Sequence, residues 1–183
     1  MLLHNLMEWL ADTPWSVGLH ESFYAYPIIE SVHVWTLCLF VGFAVFLDLR
    51  LLGVTLKGVP VSQIAERILP WTKIAFVLMV ASGLVLFYAI PLRTYHNVFF
   101  RLKAVLLVLA ALNAWVFHNG GMYRRLAEWD TAATTPRAAK FAGACSLVLW
   151  VAIIFSGRMI AYNWFDCDKP EPAVIDLIAG CVR

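Results

Sequence analysis

Tyr24–Gly53 reads YAYPIIESVHVWTLCLFVGFAVFLDLRLLG, and the fold follows from how this stretch is read. A helix needs about 20 apolar residues to cross the hydrocarbon core of a bilayer, and this run supplies them. Between Ile28 and Leu47 the only acidic, basic or imidazole side chains are Glu30 and His33. Three positions apart, they share one face of a helix. Ionisable groups at that depth are costly unless they turn toward protein, so the pair marks a candidate site.

The rest of the chain has the same character. It has 183 residues, of which 62% are hydrophobic and 14% charged. A soluble domain would carry about 25% charge. Together with a mean hydropathy of +0.76, this implies one integral membrane domain over residues 1–183. The net charge of +2 comes with no Lys/Arg run, which argues against nucleic acid as a partner. Residues 1–20 lack the basic start and unbroken apolar core of a cleaved signal, so the mature chain is expected to begin near Met1.

Working outward, Leu2, Leu3, Leu6, Met7 and Leu10 recur at helical spacing, and Thr13-Pro14 breaks the pattern. This predicts a short helix lying in the membrane surface. Trp15, Tyr24 and Tyr26 are interfacial anchors on the way into the first span. The predicted spans are 27–50, 73–91, 101–119 and 141–162. The amphipathic piece SQIAERILP is assigned to the first connection, Pro91 closes the second span, and LRTYHNVFFR forms a short loop. The expected fold is all-α, an up-down four-helix membrane bundle with a short N-terminal interfacial helix.

Orientation follows Lys/Arg bias. Arg50, Lys57, Arg67 and Lys73 lie around the first connection, and Arg124, Arg125, Arg137 and Lys140 around the third. The other side holds Arg93, Arg101, Lys103, Arg158, Lys169 and Arg183, with Lys103 and Arg158 inside spans. The richer side is expected to be cytoplasmic, which places both termini outside. The second and fourth spans also echo one another, Ser82-Gly83-x4-Tyr88 against Ser156-Gly157-x4-Tyr162. Ser and Gly let helices approach closely, so the echo fits two duplicated hairpins as well as it fits chance.

On this topology the polar residues form two groups. His20, Glu21, Glu30, His33, His96, Lys103, Arg158, Tyr162 and Asn163 fall toward the outer face. Asp48, Arg50, Arg67, His118, Asp130 and Arg137 fall toward the inner face, where ion pairs among Arg67, Asp130 and Arg137 are expected to tie the loops. The outer group is the better site. Helical rise, about 1.5 Å per residue, allows His33 and Lys103 a similar depth. Imidazole is the commonest biological metal ligand and a frequent axial ligand of haem iron. Arg93, Arg101 and Arg158 can face haem propionates, and Tyr24, Tyr26, Trp35, Phe99 and Phe100 can wall a porphyrin.

Plainer readings stand beside these. A membrane histidine also settles by hydrogen bonding a neighbour, and Glu30 offers His33 that company. His118, beside Asn119-Gly120-Gly121, reads as structural, and His4 on the surface helix as solvated. Glu30-x-x-His33 is half of a di-iron motif without a second half. Copper on His20, His33 and His96 is chemically open, and their spacing does not select it over haem. Cys38 and Cys145 read as apolar fillers, while Cys167 and Cys181 can pair in an oxidising compartment. No C-x-x-C-H, P-loop, GxGxxG or nucleophile elbow occurs.

The run HESFYAYPIIESVHVWTLCLFVG, the LRLLG after it and the ending SGRMIAYNWFDC resemble an uncharacterised family of small bacterial four-span membrane proteins. More distantly, the pattern resembles HemJ-type protoporphyrinogen oxidases and CopD-like copper-resistance proteins. The matching pieces are His33 with Gly42 and Arg50, Ser82-Gly83-Leu84, and Leu102-Lys103. The HemJ likeness implies b-haem on His33 and, further along, Lys103. A second span-3 histidine has no match, since Asn113 and His118 flank its position; this puts porphyrin oxidation in question.

The expectation is therefore a haem b protein in electron transfer at the periplasmic side or across the membrane. Its cofactor residues would be His33, His96, Lys103, His20, Arg158 and Arg101. His33 is the first axial ligand and His96 the second, with Lys103 and His20 as rivals. The bilayer, a quinone or redox protein, and a second copy of the chain are the expected partners. The alternative is a copper-handling protein, with His33, His96 and His20 as ligands, or a non-redox accessory subunit.

Overall fold

Apolar blocks of this length become helices because a helix pairs its own backbone groups, which lipid cannot do. The computed structural model describes residues 2–130, 132, 134–162, 165, 167 and 172–181. Among these, all regular structure is helical: α1 (Leu2–Ala11), α2 (Pro14–Glu21), α3 (Ala25–Leu52), α4 (Val61–Ala89), α5 (Pro91–His96), α6 (Val98–Asn119), α7 (Leu126–Trp129), α8 (Arg137–Ile160) and α9 (Ala173–Ala179). Asn163, Lys169 and Arg183 lie outside the described residues.

Helices α3, α4, α6 and α8 are long and apolar enough to cross a membrane, with window hydropathies of 2.0, 1.9, 1.8 and 2.0. They make this a multi-pass membrane protein built on a four-helix bundle. Helix α3, at 28 residues, is about 42 Å long against a core of about 30 Å. No residue of α6 is buried. Leu102, Val105, Val108, Leu112 and Trp115 are exposed along it, a surface suited to lipid rather than water.

The boundaries differ from expectation chiefly at prolines. Pro14 and Pro91 read as breakers, yet each stands at the first turn of a new helix, α2 and α5. The missing N–H costs nothing there because first-turn donors have no intrahelical partner. So the lead-in to the first span and the expected loop 92–101 are partly helical. Helix α4 begins at Val61 rather than 73 and runs through Pro70. Burial of Val61, Ile64 and Ala65 holds that first segment in place, and Asp130 caps it.

Packing divides the chain into two units. The first comprises Met1–Trp35, Leu78–Ala104 and Ile154–Arg183. Within it α1 packs on α5. The Thr13 hydroxyl donates to the Leu10 carbonyl at 2.7 Å, so it accepts from the Tyr88 hydroxyl at 2.6 Å. Ser16, buried, donates to the Tyr88 carbonyl at 2.8 Å. Cys167 and Cys181 form a disulfide with Cα atoms 5.4 Å apart, which closes the segment carrying α9.

The second unit comprises Thr36–Val77 and Val105–Ile153. Its core joins Leu51, Val61, Leu126, Trp129 and Ala139. Phe40 packs between Phe76 and Trp150, with ring centroids 5.4 and 4.9 Å away. Gly143 lets α8 approach α3: a Cβ there would lie 3.2 Å from the Asp48 carbonyl oxygen.

The polar group of this second unit is structural, though not through the expected ion pairs. Arg50 is buried; its Nε donates to the Val59 carbonyl at 2.8 Å and its Nη1 to Thr135 at 3.4 Å. Asp130 accepts from the Ser62 amide at 2.9 Å and from the Ser62 hydroxyl, a cap on the unpaired donors that open α4. Partial burial pushes the Asp130 carboxyl up, but the Ser62 bonds, a Val61 amide bond and the Arg50 charge hold it below the ordinary carboxylate range. Arg67 and Arg137 are exposed. Asp48 is buried, takes a bond from Ser146, and has its Oδ2 without a hydrogen-bond partner.

Candidate functional site

His33 stands on α3 facing α4. Its Nδ1 lies 3.0 Å from the Met79 carbonyl and 3.0 Å from Ser82 Oγ. A carbonyl only accepts, so Nδ1 carries the proton. The Ser82 hydroxyl spends its own hydrogen on the Leu78 carbonyl at 2.7 Å, which leaves a lone pair to receive the same imidazole N–H. Both contacts therefore select one tautomer, with the ring's lone pair on Nε2. The ring lies over Gly83, where a Cβ would meet His33 Cε1 at 3.1 Å. That is tighter than a side chain tolerates without movement of the ring.

The second half of the echo repeats the device with a different passenger. Lys103, on α6, lies over Gly157 of α8, where a Cβ would sit 3.5 Å from its Nζ. Ser82 and Ser156 are both buried. The echo is thus spatial: each Ser-Gly step receives the polar side chain of the preceding long helix. The tyrosines diverge, Tyr88 bonding Thr13 while Tyr162 lies beneath the Arg158 guanidinium at 5.4 Å.

Lys103 and Glu30 are both within electrostatic reach of His33, and Glu30 and Arg93 of Tyr26. The structure therefore brings Lys103 near His33, as helical rise allowed, and Glu30 near it, as their spacing on α3 allowed. Glu30 is a neighbour in the field of His33, while the ring's tether is Met79 and Ser82.

Of the remaining expected ligands, His96, Arg101 and Arg158 have partners of their own. His96 is buried, with Nδ1 3.2 Å from the Ala179 carbonyl and Nε2 3.3 Å from His4 Nδ1. His4, expected to be solvated, is instead drawn between His96 and Glu8, its Nε2 3.2 Å from Glu8 Oε1. Arg101 donates to the carbonyls of Tyr95, Ile178 and Ala179 at 3.1, 2.7 and 2.7 Å. It thereby holds the C-terminal end of α9, where Gly180 sits at φ 70 and a Cβ would lie 2.7 Å from Arg101 Nη2. His20 is exposed on α2, and His118 bonds the Ala114 carbonyl of its own helix at 2.8 Å. Among the described residues no three His, Cys, Asp or Glu side chains converge on a metal-sized point.

Sequence reasoning missed the pairing of His4 with His96. His4-x3-Glu8 at one-turn spacing was its visible half, but the partner lies far along the chain and only folding supplies it. In comparison with known proteins, residues 16–163 fit the model described as a family of unknown function, DUF6644. No curated protein and no solved structure matches the chain.

Proposed function

We propose, from the premise that the chain belongs to the DUF6644 family of unknown function, that it binds b-type haem through His33 and passes electrons near the periplasmic face of a bacterial inner membrane. The observation that carries this reading is the tether of His33. Nδ1–H is fixed by Met79 and Ser82, so Nε2 presents its lone pair, the arrangement that orients and strengthens an imidazole ligand. Lys103, within electrostatic reach, supplies a cation for a propionate and for tuning the potential. With His96 bonded to His4 and Ala179, the reading rests on His33 and Lys103. When bound, haem supplies one-electron acceptance and release, with a quinone or a redox protein as partner. The likeness of His33, Ser82-Gly83-Leu84 and Leu102-Lys103 to HemJ-type proteins points the same way.

Periplasmic termini are supported by the Lys/Arg bias and by the Cys167–Cys181 disulfide in the segment after α8. Disulfides persist on the oxidising side of a membrane.

The test is a reduced-minus-oxidised absorption spectrum of the full chain purified after growth with haem supplied. Split α/β bands are expected, and His33→Ala removes them. Wild-type protein without haem, or bands that survive His33→Ala, overturn the reading in favour of a non-redox membrane subunit.

A further inference from the structure

The paired imidazoles of His4 and His96 have more order than packing requires. The Ala179 carbonyl can only accept, so His96 Nδ1 carries a hydrogen and the lone pair of the neutral ring is on Nε2. The Glu8 carboxylate likewise accepts from His4 Nε2 at 3.2 Å, which places the lone pair of neutral His4 on Nδ1. These two lone-pair nitrogens are the atoms that face one another, 3.3 Å apart, with the rings inclined at 62°. In the hydrogen-bonded pair a proton on one of these nitrogens lies between them; a metal ion can take that proton's place, since two bare lone pairs at this distance would repel.

The spacing matches a metal's bite. Tetrahedral zinc with nitrogen ligands at about 2.0–2.1 Å sets neighbouring ligand atoms about 3.3–3.4 Å apart. Each ring also has the outer partner typical of a metal-bound histidine, a backbone carbonyl for one and a carboxylate for the other. The Arg101 guanidinium shares the Ala179 carbonyl at 2.7 Å, and Glu8 brings a compensating negative charge. His4 is 24% exposed, so solvent can reach the pair.

We propose that His4 Nδ1 and His96 Nε2 form a two-imidazole site for one divalent cation of the zinc and copper class, with solvent completing its coordination and Glu8 and Ala179 fixing the two tautomers. The site pins α1 to α5, and it is independent of the haem reading because it uses neither His33 nor Lys103.

The experiment titrates chelator-stripped full-length protein in detergent with Co2+, followed by visible absorption, and then with competing Zn2+. One saturable Co2+ per chain, displaced by Zn2+, is expected. His4→Ala should weaken binding at least hundredfold, and Glu8→Gln ten- to a hundredfold. His33→Ala should bind as wild type does, which separates this site from the haem site. The near-isosteric Glu8→Gln keeps the test valid if His4→Ala disturbs folding. No saturable Co2+ in the wild type overturns the proposal and leaves the pair sharing only a proton. Unchanged affinity in both His4→Ala and Glu8→Gln overturns it as well.

Discussion

The Ser82-Gly83 and Ser156-Gly157 steps have the same sequence and do different work. At the first, an imidazole is gripped at one nitrogen by two acceptors and lies so close over a glycine that an added Cβ would meet its Cε1 at 3.1 Å. At the second, an ammonium on a flexible stem passes a glycine where an added Cβ would be at ordinary contact distance, 3.5 Å. The first arrangement fixes a direction for a lone pair; the second brings a charge near without fixing its direction. A ligand needs the former, and a field effect needs only the latter.

The sharpest break in that comparison comes from exchanging which side chain is lost. On the proposed haem reading, His33→Ala is expected to abolish the absorption bands, whereas Lys103→Ala is expected to keep them and lower the midpoint potential, because a nearby positive charge favours the reduced state. A redox titration of the two variants checks this. Loss of the bands in Lys103→Ala would make Lys103, as the neutral amine, a ligand.

The glycines come next. A Gly→Ala change inside a helix gains up to about 1 kcal/mol of propensity. At Gly157 that gain meets little resistance, so Gly157→Ala is expected to leave thermal stability in detergent equal or higher. At Gly83 the new methyl displaces the His33 ring, so Gly83→Ala is expected to lower stability and broaden the spectrum. Melting curves and spectra of the pair decide; equal behaviour would remove the distinction between the two steps.

The smallest effect lies in the second unit and serves as a control. Asp130→Ala removes the cap on α4 and is expected to cost about 1 kcal/mol at neutral pH. A carboxyl held below its ordinary value stabilises fully above the unfolded-state value, about 3.9, and loses that contribution as pH falls through the lower folded value. The gap between wild type and variant should thus be constant from pH 7 to 5 and close in acid below about 4. Denaturation in detergent across that range measures it, and the haem bands at neutral pH should not respond.

Much of the fold was legible because span length and hydropathy are local properties. Four apolar runs, read with a helical rise, gave four helices with limits near those observed, except at the start of α4. The prolines misled because the same residue ends one helix and opens the next, and only neighbouring burial shows which applies. Helical spacing put Glu30 on the face of His33, and helical rise allowed Lys103 a similar depth. Ser82 and Gly83 were visible as an echo, but not as the acceptor and the seat of an imidazole.

From the sequence alone came the solvent this chain is built for and the scarcity of ionisable groups within its spans. Both depend on the cost of charge and unpaired backbone in hydrocarbon, which each segment meets by itself. The tertiary structure decided the partners. His4 met His96, Arg101 closed α9, and His33 took Met79 and Ser82 in preference to Glu30. Hydrogen bonds reach only about 3 Å, so residues distant in the chain become partners only once the helices have packed.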